Sequence, residues 1–597
     1  MVLKGLNETW DLDRIFPGGS GSKVFSDYLG QLGSDLEKLQ EEVVAFPILT
    51  SSEQATDLKG LFDKIGALRS QLHEGGSFVN CLIAQDVNDK QAVRLRGKLI
   101  EMSAFEANVA TILDAKLAEI DETVWTELMD DAQLKSISFA LNERRRRAVE
   151  KLSPDQEAII NDLEVDGYDA WSGLYDMVVG KMKVEIETEG QTKNLSVSQA
   201  QNRLTDPDRK VRKKVFESYE KKWDEVSDYC SEALNHISGF RLNVYKHRGW
   251  DSFLKEPLDL NRMSKETLDA MWDAVDSQKQ AYGKYFKRKA KLLGIDQLAW
   301  YDAGAPIAES EEKVSYDEAA RFIVEHFNQF SPDMADFAEK ALANRWVEAE
   351  DRDGKRPGGF CTSFPVSNET RVFLTFSGTK SNISTLAHEL GHAYHQHVMR
   401  GLPYLSQRYA MNVAETASTF AEAIVSDAAI KSASTKEERL ALLEDKLQRN
   451  INFFTNLRAR FVFETRFYEE RKKGIVSVER LNELMTQAQK ETFDHSFSEY
   501  HPTFWASKLH FYITGTPFYN FPYTFGFLFS SGIYAKALKE GNGFADKYVA
   551  LLRDTGSMRV EDLAAKHLDV DLTKPDFWRN AVSLTVEDVE EFLKETE

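Results

Sequence analysis

Apolar residues recur every three to four positions over most of this chain, the spacing of an amphipathic helix, and only short stretches alternate as a strand does. Residues 1–23 are an irregular lead-in closed by Gly18-Gly19-Ser20-Gly21-Ser22. From residue 24 to about 174 the pattern is almost wholly helical, with Pro154 the one proline between Pro47 and Pro207. Within 181–197, Met182, Val184 and Ile186 alternate with polar residues and Glu189-Gly190 offers a turn, which predicts a short hairpin. That hairpin is the best boundary between an N-terminal helical region, 1–200, and the remainder, 201–597.

Asp206-Pro207-Asp208 opens a long helix to about residue 247, ended by Gly249-Trp250-Asp251. Helices are expected to continue to 293 and again over 316–349, with a strand at 299–302 between them. Gly354 to Cys361 reads as a glycine-rich loop without the spacing of a phosphate-binding loop, so nucleotide binding is rejected. Residues 371–376, Arg-Val-Phe-Leu-Thr-Phe, form a β-branched and aromatic strand whose edge can pair with an extended peptide. A helix over 385–399 follows, with Ser381, Asn382 and Ser384 as acceptable caps, then a second over 412–429 and further helices to about 497. Residues 505–527 are dense in aromatic residues with glycine and proline, and predict a loop packed into a cleft that re-enters a helix. The architecture expected is mainly α, with a small β element beside the helix at 385–399.

That helix carries the chemistry. His388-Glu389-Leu390-Gly391-His392 places two histidines four apart on one helical face, so both imidazoles can reach one ion. The pattern is a zinc-hydrolase motif with the glutamate as general base. A catalytic zinc takes three protein ligands and leaves one position for water. The third ligand is expected from the following helix, where Glu415 and Glu422, seven apart, share a face with Ser418 and Thr419. Glu415 is assigned as the ligand, and Glu422 as an acceptor for an imidazole N–H or a support for the ligand helix. Gly391, beside the second histidine, allows another backbone or a substrate to come close.

These segments, His388 to His395 and Ala414 to Glu422, resemble the thimet-oligopeptidase-like zinc peptidases, in particular the oligoendopeptidase F branch. The family pattern E-x-x-S-x-x-x-E falls on Glu415, Ser418 and Glu422, and its metal-binding glutamate is the first. The resemblance implies a large helical fold with a deep channel walled by the N-terminal helices, one Zn2+ per chain, and an edge strand ahead of the metal helix that binds substrate. It also implies that a histidine and tyrosines of the aromatic loop stabilise the tetrahedral intermediate. His510 matches. Tyr519 and Tyr523 are taken for the tyrosines, with Tyr512 behind them, and Phe527 stands where relatives carry a tyrosine.

Composition narrows the partners. With 75 basic and 96 acidic residues the net charge is −21, which argues against nucleic acid and anionic membranes. Cys81, Cys230 and Cys361 are too scattered for a disulfide framework, which suits a reducing compartment. The N-terminal residues have no apolar core of signal-peptide length, and the run 518–535 is broken by Asn520 and Pro522, so a cytoplasmic protein is expected. No pattern along the chain specifies an oligomeric state. The expected activity is a zinc metalloendopeptidase acting on short oligopeptides. The rivals are a zinc carboxypeptidase, which needs a basic residue such as Arg371 or Arg408 for the substrate carboxylate, and a non-catalytic helical peptide-binding protein. Intact Glu389 argues against the latter.

Overall fold

Asp208 opens the helix against which much of the chain is packed. Its carboxylate accepts from the Lys210 amide, and Arg209–His247 then runs for 39 residues, about 58 Å at the usual helical rise. The structure is a computed structural model and describes residues 3–188, 191–307, 313–541 and 543–597.

Ahead of that helix, Ser22 caps Lys23–Ala45 by accepting from the Phe25 amide, and Phe25, Leu29, Leu32, Leu36, Leu39 and Val43 form its buried stripe. It packs with Ala55–Gln85 and Lys90–Glu119, and these helices frame two smaller apolar cores, one around Leu58 and Leu113 that takes in Leu405, one around Phe25 and Phe78 that takes in Phe364 and Phe373. The arginine run of Ser138–Val149 is a balanced charged face, with Arg144 on Asp114, Arg145 on Glu122 and Arg147 on Asp259. The main core takes in the chain from Tyr168 onward. The hairpin strands Val184–Thr188 and Gln191–Leu195 pair antiparallel and bury Val184 and Ile186 in that core. The expected Glu189-Gly190 turn lies outside the described residues.

Several expected elements differ in extent. The run at 316–349 is broken at Ser331-Pro332 into Tyr316–Phe330 and Pro332–Ala343. Proline cannot continue the first helix but is favoured at the start of the second, where Ser331 caps by accepting from the Met334 amide. The strand expected at 299–302 is only Leu298–Ala299, paired in parallel with Phe497–Glu499, so the helices before 497 stop short of it. Trp300–Asp302 turns instead, because the buried Asp302 is drawn to Arg209 and Arg212 at 2.9 Å each.

The largest correction concerns the sheet beside the metal helix. The strand expected at 371–376 is Glu369–Phe373, and it is the middle of three, between Val347–Glu348 in parallel and Phe360–Phe364 antiparallel. It offers no free edge. The strand beside it, Phe360–Phe364, is an edge of this sheet, formed from the end of the glycine-rich loop, with Phe360 stacked on Phe373 at 5.1 Å. The apolar run becomes Phe521–Glu540, in which successive residues from Phe525 to Ser530 are buried on every face. Among the described residues no helix is long and apolar enough to cross a membrane.

Candidate metal centre and active-site cleft

The metal helix is Lys380–Val398, and Thr379 caps it, one turn earlier than Ser384 and ahead of Ser381 and Asn382. Thr379 Oγ1 accepts from the Asn382 amide at 3.3 Å, while Asn382 Oδ1 accepts in return from the Thr379 amide at 3.2 Å. The second helix, Met411–Ser432, lies directly against it, and Gly391 is the point of closest approach. A Cβ at Gly391 would stand 2.6 Å from the Ala417 carbonyl oxygen and 2.7 Å from Ser418 Cα. The glycine is therefore needed for a neighbouring backbone. Phe521–Glu540 approaches the second helix in the same way at Gly526, where a Cβ would meet the Glu415 Cβ at 2.9 Å.

This packing brings the ligands together. His388 Nε2 and His392 Nε2 lie 3.3 and 3.4 Å from Glu415 Oε2. The imidazole rings are 4.9 Å apart and close to perpendicular, at 85°. All three donor atoms fall within 4.8 Å of one another, and so could hold a metal ion. Two atoms bound at about 2.05 Å to a tetrahedral ion are separated by about 3.3 Å, so the spacing fits a two-nitrogen, one-oxygen site.

The surrounding charges are arranged for those ligands. His388 Nδ1 donates to Glu422 Oε2 at 3.1 Å, which leaves Nε2 free to face the centre. Glu422 is held in turn by Arg449 Nε at 3.2 Å, and Ser418 Oγ donates to Glu415 Oε2 at 2.7 Å. Burial opposes a charge on His388, but hydrogen bonds to Glu415 and Glu422 overcome it and push its pKa up to about 10. Burial likewise raises Glu415, and hydrogen bonds from both histidines outweigh it, leaving its carboxyl far below the usual range. The two carboxylates thus take up the positive charge that a bound cation would bring.

Glu389 is buried between the metal helix and the sheet. Its Oε1 would be 3.0 Å from a Cβ at Gly359, and its Oε2 is without a hydrogen-bond partner. Burial raises its pKa, and His388 and His392 act against that rise.

The sequence matches peptidase family M3 over residues 203–584, and the oligopeptidase F N-terminal family over residues 116–183. The chain belongs to peptidase family M3. It is a metallopeptidase that hydrolyses oligopeptides. This M3 peptidase is 24% identical to oligopeptidase PepF of Bacillus subtilis (strain 168), over 95% of its own length and 84% of the relative's. It is 23% identical to an oligoendopeptidase F homolog of Lactococcus lactis subsp. lactis (strain IL1403), over 96% and 95%. A crystal structure from Chlamydophila abortus shares its fold with a TM-score of 0.83 at 19% identity, covering 98% of both chains. That of oligoendopeptidase-F from Enterococcus faecium gives 0.69 at 17%, covering 96% and 98%.

In this M3 peptidase three of the expected aromatic-loop side chains cluster, and one of them, Tyr523, reaches the cavity of the metal centre. The rings of His510 and Tyr519 are 5.3 Å apart, those of His510 and Tyr523 6.3 Å, and those of Tyr519 and Tyr523 5.7 Å. Tyr523 lines a cavity of about 460 Å³ together with His388, Glu415 and Glu422. Burial lowers the His510 pKa to about 4, aided by Arg460 and Lys508, and its Nδ1 has no partner. Burial, then Tyr519, raises that of Tyr523. Phe518, in the left-handed region at φ 54°, turns the chain just before Tyr519. Tyr512 is elsewhere: fully buried, it stacks on Tyr175 at 3.7 Å and cannot reach the centre. Phe527 stacks on Phe453 at 4.6 Å in the cavity wall.

Sequence reasoning missed what holds this loop. Tyr168 and Tyr175 donate to the carbonyls of Thr514 and Ala506, both at 2.9 Å, and Arg241 Nη2 donates to Ile513 O at 2.7 Å. Two of these anchors lie over 300 residues away, and no local pattern signals them. A second cavity, of about 780 Å³, opens at the C-terminal end of the metal helix, beside Gln396 and Met399. His73, Ser77 and Glu106 of the N-terminal helices line it together with Thr362, Ser363 and Gln396, and two hydrogen bonds join the walls, Ser77 Oγ to Thr362 Oγ1 at 2.7 Å and Ser363 Oγ to His73 Nε2 at 3.0 Å. Arg408 lies in its wall, whereas Arg371 is fully buried and spent on Glu369 and on the Asp11 carbonyl. Arg371 is therefore not a carboxylate clamp.

Proposed function

We propose that this M3 peptidase is a zinc endopeptidase that cuts internal bonds of short peptides, with His388, His392 and Glu415 holding one Zn2+. The observation that carries the reading is the convergence of those three donors beside a buried glutamate with an unpartnered oxygen. A set of two imidazoles and one carboxylate suits catalytic zinc, which supplies Lewis acidity and lowers the pKa of water to about 7. Glu389 takes a proton from the attacking water at Oε2 and delivers it to the leaving amine. Glu422 keeps His388 in the tautomer that presents Nε2, and Arg449 keeps Glu422 in place. His510, Tyr519 and Tyr523 donate hydrogen bonds to the oxyanion of the tetrahedral intermediate.

The peptide runs extended along Phe360–Phe364, through the larger cavity, where main-chain pairing accepts any sequence. The N-terminal region, 1–200, supplies the far wall through Ala55–Gln85 and Lys90–Glu119, and residues 201–597 carry the chemistry. The enclosure excludes folded proteins. Free thiols at Cys81, Cys230 and Cys361 support work in the cytoplasm.

The test is digestion of an end-blocked peptide of about ten residues, with mass analysis of the products. Internal cleavage, lost with a chelator and restored by zinc, is expected. Stepwise removal of C-terminal residues, abolished by end-blocking, would overturn the endopeptidase reading.

A further inference from the structure

Two cations, Lys508 in the aromatic loop and Arg460 beside it, have no counter-charge among the described residues. The Lys508 ammonium lies 4.6 Å from the centroid of the Phe504 ring, and the Arg460 guanidinium carbon 5.2 Å from the same centroid. Arg460 donates to two amide oxygens, Asn456 Oδ1 at 2.9 Å and Asn520 Oδ1 at 3.0 Å. Among the described residues neither cation forms an ion pair with a carboxylate. The chain has 96 acidic residues against 75 basic ones, so carboxylates are not scarce, and most arginines near this one are paired. Arg458, two residues earlier, holds Asp276 at 2.8 Å, and Arg466 holds Glu491 at 2.7 Å.

The site also has spare donors. Asn520 Nδ2 and His510 Nδ1 are buried without partners. Burial, then the charge of Arg460, brings the Lys508 pKa down to about 7, and burial brings Arg460 down to about 10. Two part-buried cationic side chains on one aromatic ring, with no carboxylate among the described residues, lose solvation that a bound anion would restore. The attraction of the ring is too weak to offset this alone. The position is also specific: Asn520, which Arg460 holds, is next to Tyr519, and Lys508 is two residues from His510.

We propose that Lys508 and Arg460 form a carboxylate-binding subsite beside His510 and Tyr519, which takes an acidic side chain of the peptide or its free C-terminal carboxylate. The proposal rests on the oligopeptidase reading above and gives it a substrate preference. A carboxylate bound there fixes the register of the peptide against the oxyanion donors.

The experiment measures binding, so it does not depend on turnover. The Glu389→Gln chain is titrated with end-blocked fluorescent peptides carrying Glu or Gln at each position in turn, and with one pair ending in a free carboxylate or an amide. At one position, or at the C-terminus, the carboxylate peptide should bind about 10- to 100-fold more tightly. Which arm shows the ratio identifies the source of the carboxylate. Lys508→Met should bring that ratio close to one, and Lys508→Arg should keep it. Ratios within about twofold in every pair, or a ratio that survives Lys508→Met, would overturn the subsite. Cleavage of the neutral end-blocked peptide by the wild-type chain is scored separately, and its failure counts against the endopeptidase reading alone.

Discussion

Around Glu415 and Glu422 the polar groups are matched inside the protein. Ser418 and both histidines meet Glu415, and His388 and Arg449 meet Glu422, before any ligand arrives. Around His510 they are not. His510 Nδ1 and Asn520 Nδ2 have no partner, and Lys508 and Arg460 lie against one ring, that of Phe504, without a carboxylate among the described residues. The backbone of this second region is nevertheless well anchored, by Tyr168, Tyr175 and Arg241. The contrast separates two tasks. A metal site must hold its ligands in place at all times, whereas groups aimed at a substrate gain from being rigid in position and unsatisfied in bonding.

If the ligand side is a matched cluster, removing one member should have the largest effect. His392→Ala and Glu415→Ala should each reduce bound zinc from one per chain to none and bring peptidase activity to background, read by elemental analysis and peptide cleavage. On the donor side the protein should keep its metal. His510→Ala and Tyr519→Phe should lower kcat by about 10²–10³ with little change in KM, since the interaction forms mainly in the transition state. Wild-type turnover in Tyr519→Phe would move the role to Tyr523. Glu422→Ala should be milder, weakening zinc affinity about 10- to 100-fold in a chelator competition. The smallest effect concerns packing: Gly391→Ala should cost about 1–3 kcal/mol in urea unfolding, because the added methyl meets backbone at 2.6 Å.

The two regions also differ in how far the sequence disclosed them. The histidine helix and the Glu415–Ser418–Glu422 face were legible because their chemistry repeats with the helical period, and a helix keeps that geometry in any context. The long helix after Asp208 was legible for the same reason, through its cap. The sheet was misread because strand order depends on pairing between distant segments. Arg371 to Phe376 looked like an edge, yet Val347–Glu348 lies on its far side, inside what read as a continuous helix. Pro332 marked the break in that helix, and weighing its preference for a helix start would have located it. In the aromatic loop His510, Tyr519 and Tyr523 were legible only through the family resemblance. Nothing local distinguished them from Tyr512, which is core only because Tyr175 stacks on it. Arg449, Arg460 and Lys508 carry no motif and emerge only from tertiary packing.

The division of labour at the metal helix rests on Glu389, which is next to a ligand in sequence yet is assigned to proton transfer and not to the metal. The direct test is Glu389→Gln, assayed for zinc content and for turnover on the same preparation. The account predicts one zinc per chain and a rate reduced by about 10²-fold or more. Loss of the zinc, or turnover near that of the wild type, would contradict it.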